Sequence, residues 1–489
     1  MLDFKRINKP DFRYSLLYRY VQFVHNHIYY RRYKVVNKEN IPPRGEGFMV
    51  ICNHQNGLND ALGILFSLGG RFPIFIARAD IFKKEFVGKL LRFLKIMPAF
   101  RKRDVGIAGL DNNEVIFAHS ARIINEGDVI ALFPEAGHED CHHLGTFKKG
   151  FARIAFRAVE LSDYKLKLKI LPLGNHYSHY FRMQGKLMIN IGEPFEFTEL
   201  YELHKTDPNR AQYLLAQKAR ERVQKLMLDI KDLEHYDEYA MLCTVYRDIY
   251  IRRRPAPAAN HDRQVQDYAV AVGHTKQKPA SKGSVFCRGR HNNPAYFPNE
   301  LQADQHIVAA LDQFKEKDQS AFEQLITKAG QYKKNLDHLK LRDWIFRKRF
   351  LAGFWLRTIA LLLFSPIWLF GYLNNVLPFY AGNLITRKIK DRMLHSSFHF
   401  GLGALVTFPI WYLILFAVVW IISGAFWMAA VYLAVLPLSL LVFFRSKVLI
   451  IKLYNRSRRF WLKLRKNPRL EASEKIRREI VEAMDKLIF

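Results

Sequence analysis

At 489 residues the chain is longer than most single domains, which predicts a large core and at least one further module. Its 76 Lys and Arg against 45 Asp and Glu leave a formal charge of +31, so an anionic partner is expected: nucleic acid, a phosphorylated substrate or an anionic membrane face. Cys52, Cys141, Cys243 and Cys287 show no close pairing or CxxC spacing, which argues against a disulfide framework or zinc ribbon and for a reducing cytosolic setting.

Met1 to Pro10 carries charges of both signs with no apolar stretch behind it, an expectation against a cleaved secretory leader. From Tyr14 to Tyr30, Leu17, Val21, Val24 and Ile28 recur at helical spacing, with Arg19, Gln22 and Asn26 elsewhere around the wheel. Aromatic and basic residues crowd this segment and "RRYK" follows it, so residues 1–33 are read as an amphipathic interfacial helix. An ordinary helix packed on the domain behind it is the alternative.

Residues 34–205 alternate short apolar runs with helical stretches. "FMVIC", "PIFIA", "VIALF", "LKILPL" and "KLMINIG" read as strands, and Asp60 to Leu68, Lys83 to Leu94, Asn113 to Glu126 and Gly150 to Leu161 as helices. Near-continuous apolar strands between helices predict an α/β fold with a mainly parallel central sheet flanked by helices. Ligands of such sheets sit beyond the carboxyl ends of the strands, where His54 falls.

Residues 206–345 form a polar helical region, interrupted at about 255–298 by an irregular insertion that begins near "RRRPAPAANHDR". Residues 346–489 change character. Thr358 to Gly382 and Gly401 to Phe444 contain no charged residue, and one membrane span needs about 20 apolar residues. A hairpin of 401–422 and 424–444 is expected, turning at Ser423 and Gly424, followed by a basic helical tail. Basic residues flank every run: Arg347, Lys348 and Arg349, then Arg387, Lys388, Lys390 and Arg392, then Arg445 and Lys447. The positive-inside rule places all three flanks in the cytosol, which favours a re-entrant form of 358–382 over a plain crossing.

The stretch "NHQNGLND" sets His54 directly after an apolar strand and Asp60 just before an apolar helix. "MPAFRKRD" follows a short strand with Arg101 and Arg103; "FPEAG" ends another with Glu135; "GTFKKGFARIA" supplies Lys148 and Lys149; "LPLGNH" closes a third. "NHQNGLND", "MPAFR", "FPEAG" and "LPLGNH", four blocks in this order with "GTFKKGFARIA" as a flank of the third, resemble the lysophospholipid acyltransferase superfamily, the PlsC-like glycerolipid acyltransferases, over about Lys34 to Pro194. Five residues, Gln55 to Asn59, separate His54 from Asp60 where the family's usual motif has four, a feature shared with a glycerol-phosphate acyltransferase-like branch. On a straight helix of about 3.6 residues per turn such a pair would lie on opposite sides. His54 is therefore expected on a loop, with Asp60 near the helix start and Gly57 letting the chain fold back.

The resemblance implies acyl transfer from an acyl thioester to a glycerol hydroxyl in phospholipid biosynthesis. His54 would be the general base and Asp60 its orienting partner, which is compatible with Asp60 also capping the helix. Arg101 and Glu135 would bind the acceptor, and Arg103, Lys148 and Lys149 would add charge for its phosphate or for coenzyme A. Solvated or lipid-facing cations are the bland reading of those last three. The acceptor expected is lysophosphatidate (1-acylglycerol 3-phosphate), with glycerol 3-phosphate or dihydroxyacetone phosphate as the alternative. The donor is acyl-CoA or acyl carrier protein, a co-substrate rather than a cofactor. His138, His142 and His143 cluster near Cys141, but a solvated loop explains them and no metal is assigned. Membrane lipid is the expected partner and nucleic acid is not, because nucleic-acid binding accounts for the charge and not for the apolar runs. The active site is expected on the cytoplasmic face of a membrane. A non-catalytic lipid-binding protein is the remaining alternative.

Overall fold

The computed structural model describes residues 4, 7–9, 11–100, 112–135, 137, 141–180, 183–253, 296–347, 352–387, 389 and 392–489. The chain forms two compact units. One comprises Met1–Asp229 and Leu351–Leu453, the other Ile230–Phe350 and Tyr454–Phe489.

The first unit is built on a seven-stranded sheet in the order β1-β7-β6-β2-β5-β3-β4, with β1 Arg32–Val36, β2 Phe48–Cys52, β3 Ile74–Arg78, β4 Ile96–Ala99, β5 Val129–Leu132, β6 Lys169–Tyr177 and β7 Lys186–Ile191. Every pairing is parallel except β6 with β7, so the sheet is mainly parallel. The apolar runs are strands because both faces of the sheet are covered: all five residues of β2 are buried. Side chains of a strand alternate between faces. Met49 and Ile51 accordingly enter a core shared with the helices Asn112–Asn125, Gly150–Glu160 and Pro208–Gln224. Phe48, Val50 and Cys52 enter the opposite core with Ile64 of helix α2 (Leu58–Ser67), Tyr29 and Tyr30, and Phe400 and Ala404 from the C-terminal part. The helix Pro208–Gln224 packs with the sheet through Ala211, Leu215, Ala219 and Val223.

The N-terminal helix runs Phe12–Phe23, capped by the Asp11 carboxylate, and continues as a π-helical turn over Val24–Tyr29. Val21 and Val24 pack on the core, while Phe12, Leu16, Tyr20 and Phe23 form an exposed apolar stripe at helical spacing. Within 358–382 the chain is helical on both sides of Phe364, as Ala352–Leu363 and Ser365–Thr386. Pro366 sits at the start of the second helix, where a missing N–H is tolerated. The expected hairpin has longer arms. Leu394–Ser423 and Phe426–Leu464 are long and apolar enough to cross a membrane, and Gly424 makes the turn at φ +65°. Asn375 ties these helices together, donating to the Ser439 hydroxyl at 2.8 Å and accepting from Tyr412 at 2.7 Å.

The second unit is helical, with Tyr236–Arg253, Tyr296–Lys317, Gln319–Leu339 and Pro468–Ile488. Most of the expected insertion lies outside the described residues. A buried carboxylate, Asp343, accepts from Tyr332 at 2.9 Å and from Arg347 and Arg477 at 2.8 Å each. Removing one member of such a buried set strands the others, at a cost of about 3–5 kcal/mol. Asp343→Ala is therefore expected to lower unfolding stability by about 3 kcal/mol or more. Thermal unfolding of the detergent-solubilised protein checks this, and an unchanged melting temperature would contradict it.

Candidate active site

Strand β2 ends at Cys52, and the side chain of Asn53 stitches that end to β6: its Oδ1 accepts from the Asn175 amide at 2.7 Å and its Nδ2 donates to the Asn175 carbonyl at 3.1 Å. The chain then loops through His54 to Gly57, whose φ of +51° favours a residue without a side chain, and α2 begins at Leu58. Asp60 lies in the first turn. The N-cap is Gly57, and the Asp60 carboxylate instead reaches back over the loop.

Five donors converge on that carboxylate, which exposes none of its surface. Its Oδ2 accepts from the Gln55 amide at 2.8 Å, the Asn56 amide at 2.6 Å and His54 Nδ1 at 2.9 Å. Its Oδ1 accepts from the Tyr177 hydroxyl at 2.6 Å and Asn175 Nδ2 at 3.1 Å. Because a carboxylate oxygen only accepts, Nδ1 of the neutral His54 ring carries the proton and Nε2 carries the lone pair. The ring also stacks on Phe133, centroids 4.1 Å apart and planes within 12°, which fixes its rotation. His54 keeps 19% of its side chain accessible beside a wholly buried Asp60. This arrangement can withdraw a proton from a hydroxyl delivered at Nε2.

Glu135, just beyond β5, accepts from the His54 amide at 2.7 Å through one oxygen and from the Gly145 amide at 2.8 Å through the other. It braces the backbone that carries His54. Burial pushes its carboxyl above the ordinary value of 4.5, against the opposing pull of those two amides. Lys148 is exposed, and its amide donates to the Pro134 carbonyl at 2.8 Å. The Lys149 ammonium donates to the Asn209 carbonyl at 3.2 Å, at the start of the helix Pro208–Gln224. Arg101, Arg103 and His138 lie outside the described residues. His142 Nδ1 meets the Tyr180 hydroxyl at 2.8 Å, and that hydroxyl donates to Gln55 at 3.1 Å. Among the described residues no group of three or more His, Cys, Asp or Glu is placed to hold a metal ion.

The residues that sequence reasoning did not single out are Asn53, Phe133, Asn175 and Tyr177. For the last two a signal existed: polar side chains at alternate positions of an otherwise buried strand share one face and need a buried partner.

Residues 32–175 match the family model Acyltransferase. Two relatives are similar to parts of the chain. One, 30% identical over 100 residues, is named glycerol-3-phosphate O-acyltransferase 2, from Saccharomyces cerevisiae; the match covers 20% of this chain and 13% of that protein. The other, from Mycoplasma pneumoniae, is named a probable 1-acyl-sn-glycerol-3-phosphate acyltransferase. It is 26% identical over 155 residues, covering 30% of this chain and 53% of that protein. The chain thus spans about half of one relative's length and a small part of the other's. The crystal structure of the 1-acyl-sn-glycerophosphate acyltransferase PlsC from Thermotoga maritima aligns at 18% identity with a TM-score of 0.31, over 46% of this chain and 83% of that one.

The raised carboxyl of Glu135 has a pH consequence. Between 4.5 and its raised native value, the folded chain holds a proton that the unfolded chain releases. The stability this group contributes is complete below 4.5 and is lost as pH rises through the native value. Wild type is expected to lose stability relative to Glu135→Gln across that window, and thermal unfolding of both proteins at a series of pH values measures it. A difference independent of pH would contradict it.

Proposed function

Since residues 32–175 are an acyltransferase domain of the glycerolipid acyltransferase superfamily, we propose that the chain transfers a fatty acyl group from an acyl thioester to the free hydroxyl of lysophosphatidate. The observation that carries this reading is the His54 to Asp60 hydrogen bond of 2.9 Å, which leaves the Nε2 lone pair to act as base. His54 takes the proton of the acceptor hydroxyl as its oxygen attacks the thioester carbonyl. The C–S bond then breaks, and the proton passes from the imidazolium to the leaving thiolate. Asp60 holds the ring in the required tautomer and stabilises the imidazolium. No cofactor beyond the acyl-CoA or acyl carrier protein thioester is assigned. Arg101 and Arg103, beyond β4, and Lys148, beside Pro134, are the cations proposed for the acceptor phosphate or the donor.

An apolar cavity of about 370 Å³ supports a lipid substrate. It is lined by Tyr20, Phe23, Met183, Phe400, Tyr412 and Leu440, and so by the N-terminal helix together with the C-terminal apolar helices. The basic residues flanking those helices favour a site on the cytoplasmic face of a membrane, with anionic lipid attracting the surplus positive charge. A second reading takes glycerol 3-phosphate as the acceptor. The name of the yeast relative and the extra residue between His54 and Asp60 favour it.

Purified full-length protein in lipid vesicles, offered both acceptors with one acyl-CoA, decides between the readings by mass spectrometry of the products. His54→Ala is expected to lower turnover by about 10² to 10⁴. Asp60→Asn, which upsets the tautomer, is expected to lower it by up to about 10⁴. Wild-type turnover in His54→Ala would end the general-base reading.

A further inference from the structure

The loop that presents His54 and Asp60 is closed internally by the Asn59 amide, which donates to the Asn56 carbonyl at 3.0 Å, but the Leu58 amide finds its partner outside it. Gly57 at the N-cap of α2 has no side chain to accept from the first amides of the helix, and such orphan donors need a partner when buried. The partner comes from the helix Arg392–Leu402, at the head of the C-terminal apolar segment. The Ser397 hydroxyl accepts from the Leu58 amide at 2.8 Å and donates to the Asn56 carbonyl at 3.0 Å, so one hydroxyl bridges both sides of Gly57. A Cβ on Gly57 would stand 2.8 Å from that oxygen. Ser396 grips the next turn. Its hydroxyl accepts from Asn59 Nδ2 at 3.0 Å and meets the Tyr29 hydroxyl at 2.7 Å. Both serines are buried, at 3% and 2% exposure, so neither offers surface to an acceptor.

Asn56 links this contact to the chemistry. Its carbonyl accepts from Ser397 as well as from the Asn59 amide, while its own amide donates to Asp60 Oδ2 at 2.6 Å, the same oxygen that holds His54. We propose that Ser397, with Ser396 beside it, is a positioning residue for the His54 and Asp60 pair, so that the C-terminal apolar segment completes the catalytic loop. This rests on the general-base reading above. Misplacing a catalytic group by about 1 Å can lower turnover by about 10²-fold. Loss of the bridge therefore acts on kcat and leaves acceptor binding alone.

The test uses full-length protein in phosphatidylcholine and phosphatidylglycerol vesicles, with long-chain acyl-CoA and lysophosphatidate or glycerol 3-phosphate, whichever wild type acylates. Ser397→Ala is expected to lower kcat about 10- to 100-fold with the acceptor KM within about twofold of wild type. Ser397→Thr, which keeps the hydroxyl, is expected to recover most of that loss. If Ser397→Ala does not yield folded protein, Ser396→Ala is judged on the same split of kcat and KM. The proposal is overturned if kcat of the alanine variant stays within about twofold of wild type, if the loss falls on KM alone, or if threonine is as impaired as alanine. His54→Ala is assayed in parallel. Its full activity would remove the general-base reading itself, whereas an inactive His54→Ala beside fully active serine variants would remove only the positioning role.

Discussion

A carboxylate sealed from water must have donors for both of its oxygens, because an uncompensated buried charge costs several kcal/mol. Asp60 meets that demand with no lysine or arginine among its five donors, and those donors fix the local architecture. Two of them, Asn175 and Tyr177, stand on β6, which explains why β6 must be the neighbour of β2: the sheet order brings the end of one strand to the loop that leaves the other. Two are amides of the loop itself, which can point at one oxygen only because the chain reverses at Gly57. The fifth is the imidazole. The pair is thus the last contact in a set that the sheet has already arranged.

The same constraint explains how the chain uses its ends. One face of the sheet is covered by helices from the middle of the domain. The other is closed by α2, the N-terminal Tyr29 and Tyr30, and Phe400 and Ala404 from the C-terminal part. The face that holds the loop is therefore the face on which the apolar helices converge. The lipid acceptor proposed above, with a hydrocarbon tail and a polar head, would use that adjacency, its tail in apolar surroundings and its head at His54.

Much of the domain was legible in the sequence because burial on both faces writes itself as continuous apolar runs, and "FMVIC" and "KLMINIG" are strands within a residue or two of their expected limits. β1 was not, since "RYKVV" is a half-buried edge strand in which basic residues interrupt the pattern. His54, Asp60 and Glu135 stood out through the order and spacing of the motifs, and the looped path between the first two followed from helix geometry once the resemblance required them to meet. What each side chain touches was less accessible. Glu135 also accepts from the His54 and Gly145 amides, contacts that its place after Phe133 and Pro134 did not announce. The partners of the loop's other side, Ser396 and Ser397, lie between the basic flank at Arg392 and the charge-free run from Gly401, and no local pattern relates them to residues so far upstream.

That separation has a bearing on how the protein is made. Leu58 and Ser397 are 339 positions apart, so the loop leaves the ribosome long before the hydroxyl that bridges it. At about 5–20 residues per second, the interval is roughly 20–70 s. Throughout it the nascent domain carries its histidine and aspartate on a strand-to-helix connection that lacks those outside hydrogen bonds. The connection receives its full set of partners only when the apolar C-terminal helices have been synthesised, so the final ordering of the loop is a late event of biogenesis.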